Sequence, residues 1–215
     1  MGGTIQGHFD NHLNLRKIIL EKRPEILVEC GAGKGDCTRL IARMKNIYPF
    51  EFHVVSDNKI EGIDAIWHEG LSYEALKEFK EESLGMVIID TDHNYWTLRQ
   101  ELAVAAPKMK EGGLLIFHDV EEFYHNSGLS MGYWNGQSYP QQEILSMTQL
   151  GGTGMALIDF LHEQRGFFKL VRWIPEHYGA AVVERKTVTQ TFVVMPGTKP
   201  VFAPIVEPLK EEVLC

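Results

Sequence analysis

Residues 25–44 read EILVECGAGKGDCTRLIARM and contain the pattern that decides the fold. The short apolar run Glu25–Cys30 favours a buried strand, and Asp36–Met44 is typical of a helix. Between them, glycines let the backbone turn tightly and approach a ligand closely. They stand at three alternate positions: Gly31, Gly33 and Gly35. This strand–turn–helix unit predicts the start of an α/β fold.

The same alternation continues to residue 117. Further strands are predicted at Phe52–Ser56, Asp64–His68, Met86–Asp90 and Leu114–Phe117. Helices are predicted at Phe9–Lys22, Ser72–Phe79 and Tyr95–Met109. Gly112–Gly113 is predicted to separate the last of these helices from the strand that follows it. Continuous apolar strands separated by helices imply a parallel sheet that is covered on both faces.

A second pattern follows a long polar segment. Met155–Gln164 is predicted to be helical, and Phe167–Trp173 and Ala180–Lys186 are predicted to pair as antiparallel strands that close the sheet. The expected architecture is α/β: a doubly wound, mostly parallel seven-stranded sheet with an antiparallel C-terminal strand pair.

Composition limits the possible functions. With 215 residues and 24.5 kDa, the chain is expected to form a single domain over residues 1–215. Its net charge of −8 makes nucleic acid an unlikely partner. There are three cysteines and no CxxC, secretory signal or long apolar span. These features predict a cytoplasmic protein without a membrane partner.

Residues 121–154 are rich in polar and aromatic residues, and a segment this long is usually functional or disordered. Its aromatic residues include Tyr124, Tyr133, Trp134 and Tyr139. They could form a lid over a substrate, pack on the sheet edge, or lie at a homodimer contact. The tail at residues 196–215 has no predicted role.

In parallel α/β sheets, ligands bind beyond the carboxyl ends of the strands. Glu29, two residues before the first glycine, suits a ligand that carries an ammonium group. Asp57 follows the second strand and could accept hydrogen bonds from ribose hydroxyls, or it could be a solvated loop residue. The turn containing Leu71 and Ser72 could flank a planar base.

The fourth and fifth predicted strands end in Asp90 and in His118–Asp119. Adjacent parallel strands bring these ends together, and the carboxylates could hold a divalent cation such as Mg²⁺. His118 could be a further ligand, and His93 a general base. Alternatively, Asp119 could cap a turn, and His118 could be a hydrogen-bonded core histidine.

Two segments resemble one family. VECGAGKGDCT at residues 28–38 resembles the first motif of class I S-adenosylmethionine-dependent methyltransferases. IIDTDHNYWTLRQELAVAAPKMKEGGLLIFHDV at residues 88–120 is similar to small-molecule O-methyltransferases, in the subgroup with an Asp-x-Asp-His turn. The resemblance implies methyl transfer from S-adenosylmethionine to a small-molecule hydroxyl.

For the cofactor, the resemblance implies that Glu29 lies near the methionine amino group and that the three glycines make room. It places Asp57 at the ribose hydroxyls and Leu71 and Ser72 at the adenine pocket.

For the chemistry, the resemblance implies that Asp90 and Asp119 ligate the metal, with Asp90 also beside the cofactor. Catechol-type and caffeoyl-CoA-type relatives have a catalytic lysine at the position of His93, so His93 would be the base here. The same relatives have Asp-Asn at the position of His118–Asp119. This sequence departs from their pattern at His118, where a histidine replaces a carboxylate.

Three other functions remain open. A nicotinamide-dependent oxidoreductase requires G-x-G-x-x-G, which the glycine turn lacks. A methyltransferase-like fold could also be a binding module or another kind of enzyme. A protein or nucleic-acid methyltransferase is the third, but the turn Asp-Thr-Asp-His differs from the Asn/Asp-Pro-Pro-aromatic turn of enzymes that methylate base amino groups.

Overall fold

The structure, a computed structural model, describes residues 14–91, 95–120, 152–174 and 179–187. Its strands are β1 (Ile26–Cys30), β2 (Glu51–Val55), β3 (Ile66–His68), β4 (Leu84–Ile89), β5 (Met109–His118), β6 (Phe168–Ile174) and β7 (Ala180–Arg185). Its helices are α1 (Leu15–Lys22), α2 (Asp36–Met44), α3 (Ser72–Ala75), α4 (Tyr95–Lys108) and α5 (Thr153–Glu163). A single 3₁₀ turn, Leu76–Glu78, extends α3.

All seven of these strands form one sheet in the order β3-β2-β1-β4-β5-β7-β6. β1 to β5 are mutually parallel, and β7 pairs antiparallel with both β5 and β6. The predicted doubly wound sheet with an antiparallel C-terminal pair is confirmed. The strand order reverses between β1 and β4, and such a switch point is where open α/β sheets bind ligands.

Helices cover both faces of the sheet. On one face, the core includes Leu98 and Leu102 of α4 and Leu157 of α5. On the other, it includes Ile19 of α1 and Leu40 of α2. The central strands are mostly apolar because each one contributes side chains to both cores.

Helix α2 agrees residue for residue with the prediction. Its buried positions Cys37, Leu40, Ile41 and Met44 follow the i, i+3, i+4, i+7 spacing of one helical face. Gly35 caps its first turn with φ +83°, a left-handed conformation that glycine adopts without strain.

Two predicted boundaries are wrong. Gly112–Gly113 does not separate α4 from a strand, because β5 begins at Met109 and runs through both glycines. The register with β4 jumps there from Leu84↔Met109 to Met86↔Leu114, so the glycines lie in a bulge. The helix predicted over Ser72–Phe79 is one α turn followed by a 3₁₀ turn.

Other predictions fall outside the described residues. They are the start of the first helix at Phe9, most of the segment 121–154, and the tail at residues 196–215. Among the described residues, no helix is both long enough and apolar enough to cross a membrane.

Candidate active site

The predicted site residues that the structure describes lie along one edge of the sheet. From β3 to β5, the strand order places them as Ser72, Asp57, the Gly31–Gly35 turn, Asp90 and His118–Asp119. With about 4.8 Å between neighbouring strands, this row spans about 19 Å. That length accommodates an extended nucleoside with a second group beside it.

The glycine turn is packed against the end of β4. Gly31 has φ +91°, and a Cβ there would lie 1.9 Å from the carbonyl oxygen of Asp90. The Gly31 amide donates to the Val55 carbonyl at 2.9 Å, and the Asp90 amide donates to the Cys30 carbonyl at 2.9 Å. Only glycine fits this position, since both its conformation and its space exclude a side chain.

Gly33 is the glycine that borders open space. It has φ +50°, and a Cβ there would meet no atom within 4 Å among the described residues. At Gly35 the Cβ would lie 2.2 Å from Cδ1 of Ile60. The three glycines therefore differ in role, and a ligand could approach the backbone most closely at Gly33.

Glu29 is a carboxylic acid in the interior of β1. It is 1% exposed, and its Oε2 has no hydrogen-bond partner among the described residues. Burial raises the pKa of Glu29 to about 8, because the charged form loses its hydration. Hydrogen bonds from the side chains of Thr38 and Cys37 lower the pKa and so oppose this shift, whereas the negative charge of Asp90 raises the pKa further. A cationic group placed beside Glu29 would restore its charged form.

The nucleoside end of the row is more open. Asp57 is exposed on the turn after β2, and Leu71 is 37% exposed. Ser72 is buried at the first position of α3. The geometry leaves Asp57 accessible to a ligand's hydroxyl groups.

Asp90, His118 and Asp119 form a cluster at the other end. One ligand atom from each lies within 4.8 Å of the others. Nδ1 of His118 lies 2.9 Å from Oδ1 of Asp119 and 3.3 Å from Oδ1 of Asp90. Parallel pairing of β4 with β5 produces this arrangement, as the sequence predicted.

The cluster also decides the charge of His118. Burial alone lowers the pKa of His118, but hydrogen bonds and charges from Asp119 and Asp90 outweigh burial and raise it to about 9. Without a cation, the imidazolium therefore balances the two carboxylates near neutral pH. A metal ion bound by the imidazole would displace that proton, because a ligating histidine must be neutral.

Asp119 has a left-handed backbone with φ +55°. Aspartate tolerates this conformation better than most residues, and strained backbone is often found at functional sites. Thr153, the first residue of α5, donates its hydroxyl to the Asp119 carbonyl. A small cavity lies beside this contact, lined by Ile89, Thr91, Leu98, Phe117, His118 and Thr153.

Two residues of this edge were missed by the sequence reasoning. Thr153 has no local motif that reveals its bond to Asp119. Glu101 is fully buried in α4, and its carboxylate accepts hydrogen bonds from Ser72 and Thr91. A signal for Glu101 exists, because it interrupts the apolar face formed by Leu98, Leu102 and Ala105. The predicted base His93 lies outside the described residues.

Residues 28–120 match the family described as "Methyltransferase domain", a span of less than half the chain. It runs from β1 to the residue after Asp119 and includes the whole row described above. No curated protein sequence matches the chain.

The chain is similar to several solved structures. One is a protein from Staphylococcus aureus with the proposed activity of a caffeoyl-CoA O-methyltransferase: 13% identity, 80% of this chain and 81% of that chain, TM-score 0.55. A second is MycE methyltransferase of the mycinamycin biosynthetic pathway, in complex with Mg, SAH and mycinamycin VI. It is 18% identical over 84% of this chain and 50% of that chain, with a TM-score of 0.55. A third is the SAH-bound methyltransferase PaMTH1 of Podospora anserina, which is 15% identical over 87% of this chain and 80% of that chain, with a TM-score of 0.54. At these identities the likeness shows a shared fold.

The matched span is a methyltransferase domain, and its sheet has the Rossmann-like methyltransferase topology. Residues 28–120 therefore match a methyltransferase domain, and the described strands and helices have the fold of its structural relatives.

Proposed function

We propose that this protein is a class I S-adenosylmethionine-dependent methyltransferase that transfers the methyl group of S-adenosylmethionine to a hydroxyl oxygen of a small molecule, assisted by a divalent cation. One observation carries the proposal: the backbone of Gly31 is packed directly against that of Asp90. This contact sets the glycine turn beside the carboxylate cluster, so a sulfonium cofactor and a cation would lie side by side.

On the cofactor side, Glu29 would bind the methionine ammonium group. Its buried Oε2 has no hydrogen-bond partner in the part of the chain that the structure describes, which is costly unless a ligand supplies one, and this supports the assignment. Gly33 leaves room for the methionine part, Asp57 would accept hydrogen bonds from the ribose hydroxyls, and Leu71 and Ser72 would border the adenine.

The cluster fits a divalent cation. It supplies two carboxylates and one imidazole, and their ligand atoms are close enough to share one ion. Oxygen ligands favour Mg²⁺, whereas the imidazole of His118 also suits softer metals. When bound there, the cation would lower the pKa of a substrate hydroxyl that contacts it.

The remaining chemistry belongs to the protein's own side chains. His93 would take the proton from the acceptor hydroxyl. Asp90 would be both a ligand of the cation and a neighbour of the cofactor, because its backbone packs against Gly31 and its carboxylate belongs to the cluster. Methyl transfer then depends mainly on in-line alignment of oxygen, methyl carbon and sulfur, which positioning alone accelerates strongly. The aromatic residues of segment 121–154 are proposed to form a lid over the acceptor, rather than to pack on the sheet edge or at a homodimer contact.

Two structural relatives support this chemistry. The MycE structure contains Mg and SAH together, and the PaMTH1 structure contains SAH. In the present chain, Asp90 and Asp119 supply carboxylates and Glu29 supplies a buried acid. A small-molecule acceptor agrees with the net charge of −8, which disfavours nucleic acid.

The test begins with binding. Calorimetry should detect binding of S-adenosylhomocysteine, whereas NAD should not bind. Asp57→Ala should weaken the binding of S-adenosylhomocysteine by at least tenfold, because the variant loses the hydrogen bonds between the carboxylate and the two ribose hydroxyls. An unchanged dissociation constant in Asp57→Ala would contradict the ribose assignment.

Activity is the second part of the test. Labelled S-adenosylmethionine should transfer its methyl group to a member of a panel of catechols, flavonoids and sugars, and EDTA should reduce the rate. Transfer to tRNA or protein alone would contradict the proposed acceptor class. Full activity in EDTA would remove the cation from the proposal.

A further inference from the structure

Two histidines join the short strand β3 to the strand beside it. Nδ1 of His53 in β2 lies 2.8 Å from Nε2 of His68 in β3. His53 is buried and His68 is partly buried, and both rings pack against the ring of Phe79, with centroids 4.8 and 5.9 Å away. A hydrogen bond between side chains therefore connects the two strands on this face of the sheet.

A carboxylate lies at each outer end of the pair. Oε1 of Glu51 is 2.5 Å from Nε2 of His53. At the other end, Oε2 of Glu78 is 3.6 Å from Nδ1 of His68. The four side chains form a row that runs from β2 through β3 to the 3₁₀ turn after α3. Each imidazole thus has the other ring on one nitrogen and an acid on the other.

The number of protons decides whether this row holds together. It contains three contacts, and each needs a single proton between its two acceptor atoms. One neutral and one charged imidazole carry three ring protons, which fill all three contacts. Two charged imidazoles carry four, so two N–H groups would point at each other across the central 2.8 Å. The row therefore accommodates one imidazolium but not two.

The surroundings of His68 oppose the second charge. Burial lowers the pKa of His68, and the positive charge of His53 lowers it further, whereas Glu78 raises it. From α4, the amine of Lys108 donates to the carbonyl of Phe79, so that helix adds another positive charge nearby. The folded protein takes up this proton less readily than the unfolded chain. The stabilisation is therefore present above about pH 6.5 and is lost as the pH falls through the lowered pKa of His68.

Strand β3 depends on β2 for its place in the sheet. It is three residues long, and among the described residues it pairs only with β2. Just beyond the last strand pair, the amide of Ser56 donates to the carbonyl of His68 at 3.0 Å. The chain then continues through Leu71 to the start of α3 at Ser72. Release of β3 would therefore reach the turn proposed to border the nucleoside.

We propose that the His53–His68 pair is an acid-sensitive link that holds β3 against β2 at neutral pH and releases it when both imidazoles are charged. The link itself is independent of the proposed function. Its effect on ligand binding rests on that function, because acid would loosen the turn after β3 and so weaken the binding of S-adenosylhomocysteine.

Hydrogen exchange of backbone amides, followed by NMR on the full chain, tests the link. The Ser56 amide reports on the contact between β2 and β3. The Gly31 amide, which donates to the Val55 carbonyl at 2.9 Å, reports on the contact between β1 and β2. From pH 7 to pH 5, the protection factor of Ser56 should fall at least about threefold, within the effect of one lost hydrogen bond. That of Gly31 should stay within about twofold. A smaller fall at Ser56, or an equal fall at Gly31, would overturn the link.

Glutamine variants test whether the histidines cause the pH dependence. In His68→Gln, protection of Ser56 should already be lower at pH 7 and should change less than about twofold down to pH 5, because glutamine does not titrate. His53→Gln should behave in the same way and replaces the first variant if that one does not fold. His162→Gln is the matched control, since this exposed histidine of α5 lies outside the row and its loss should leave the wild-type pH dependence intact.

The outcomes separate the link from its effect on binding. A wild-type pH dependence at Ser56 that survives in folded His68→Gln or His53→Gln overturns the link. Calorimetry at both pH values should show that acid weakens S-adenosylhomocysteine at least about threefold more in the wild type than in His68→Gln. Equal weakening in the two proteins overturns the effect on binding alone. A wild type that binds no S-adenosylhomocysteine at either pH overturns the proposed function, and the exchange result still decides the link.

Discussion

The carbonyl oxygen of Asp90 lies 1.9 Å from the position that a Cβ at Gly31 would occupy. Two strand ends are therefore in backbone contact, without an intervening side chain. Because one strand end carries the proposed cofactor turn and the other a proposed metal ligand, the two sites cannot move independently. This contact and the buried carboxyl group of Glu29 each lead to measurable predictions.

Gly31→Ala should destabilise the protein by about 3 kcal/mol. The new Cβ collides with backbone rather than with a flexible side chain, and φ +91° is strained for any other residue. Urea unfolding monitored by circular dichroism measures the change. A loss below about 1 kcal/mol would contradict the close packing.

Gly33→Ala is the matched comparison. Its Cβ meets no described atom within 4 Å, so the variant should lose only about 1 kcal/mol from backbone strain at φ +50°. Its affinity for S-adenosylhomocysteine should nevertheless fall at least tenfold, because the methyl group enters the space proposed for the methionine part. Wild-type affinity in Gly33→Ala would place the ligand elsewhere.

Glu29 predicts a pH dependence of stability. Its pKa is about 8 in the folded protein against an ordinary value of 4.5, so the folded state holds a proton that the unfolded chain releases. Its stabilising contribution is complete below about pH 4.5 and is lost as the pH rises to about 8. Glu29→Gln should therefore raise the melting temperature at pH 8 by a few degrees and flatten its pH profile.

The same variant should bind S-adenosylhomocysteine at least tenfold more weakly, since an amide does not pair with an ammonium group. Glu163→Gln is the control: this exposed residue pairs with Arg99 on the surface, and its loss should leave both measurements unchanged. Tight binding by Glu29→Gln would show that Glu29 is only a buried acid.

Asp119→Asn should weaken divalent-cation binding by at least tenfold, because a charged ligand is lost, while nucleoside affinity stays within about twofold. Titration with Mn²⁺ followed by electron paramagnetic resonance gives the cation affinity. Asp159→Asn is a suitable control, since Asp159 accepts a hydrogen bond from Tyr95 at 2.7 Å and is not in the cluster. Equal Mn²⁺ affinity in both variants would exclude the proposed site.

His93→Ala should retain cofactor affinity but lower kcat by about 10²-fold or more, the usual contribution of a general base. Calorimetry and single-turnover methyl transfer measure the two quantities separately. If kcat is also unchanged, His93 has no part in the chemistry.

Much of the fold follows from local patterns. The helix from Asp36 to Met44, the five parallel strands and the closing antiparallel pair are all predictable from apolar periodicity and glycine positions. The proximity of Asp90 to His118 and Asp119 is also predictable, because neighbouring parallel strands end at the same edge. These features depend on residues close in sequence or on general rules of sheet topology.

Other features are not visible locally. Two consecutive glycines such as Gly112–Gly113 are typical of a connection between a helix and a strand. Pairing with β4 nevertheless keeps them inside β5, where they form a bulge. The role of Glu101 depends on Ser72 and Thr91, which reach it from two separate turns. A sequence pattern identifies neither partner.

The sequence by itself determined the order of strands and helices, the glycine turn and the set of acidic and imidazole groups at the strand ends, because short-range periodicity and backbone preference encode these. Only the tertiary structure decided which glycine has no room for a side chain, which acid is buried away from water, and which carboxylates stabilise the protonated form of His118. Those properties arise from distances and burial among residues far apart in the chain, where desolvation and close packing, rather than local preference, set the free energy.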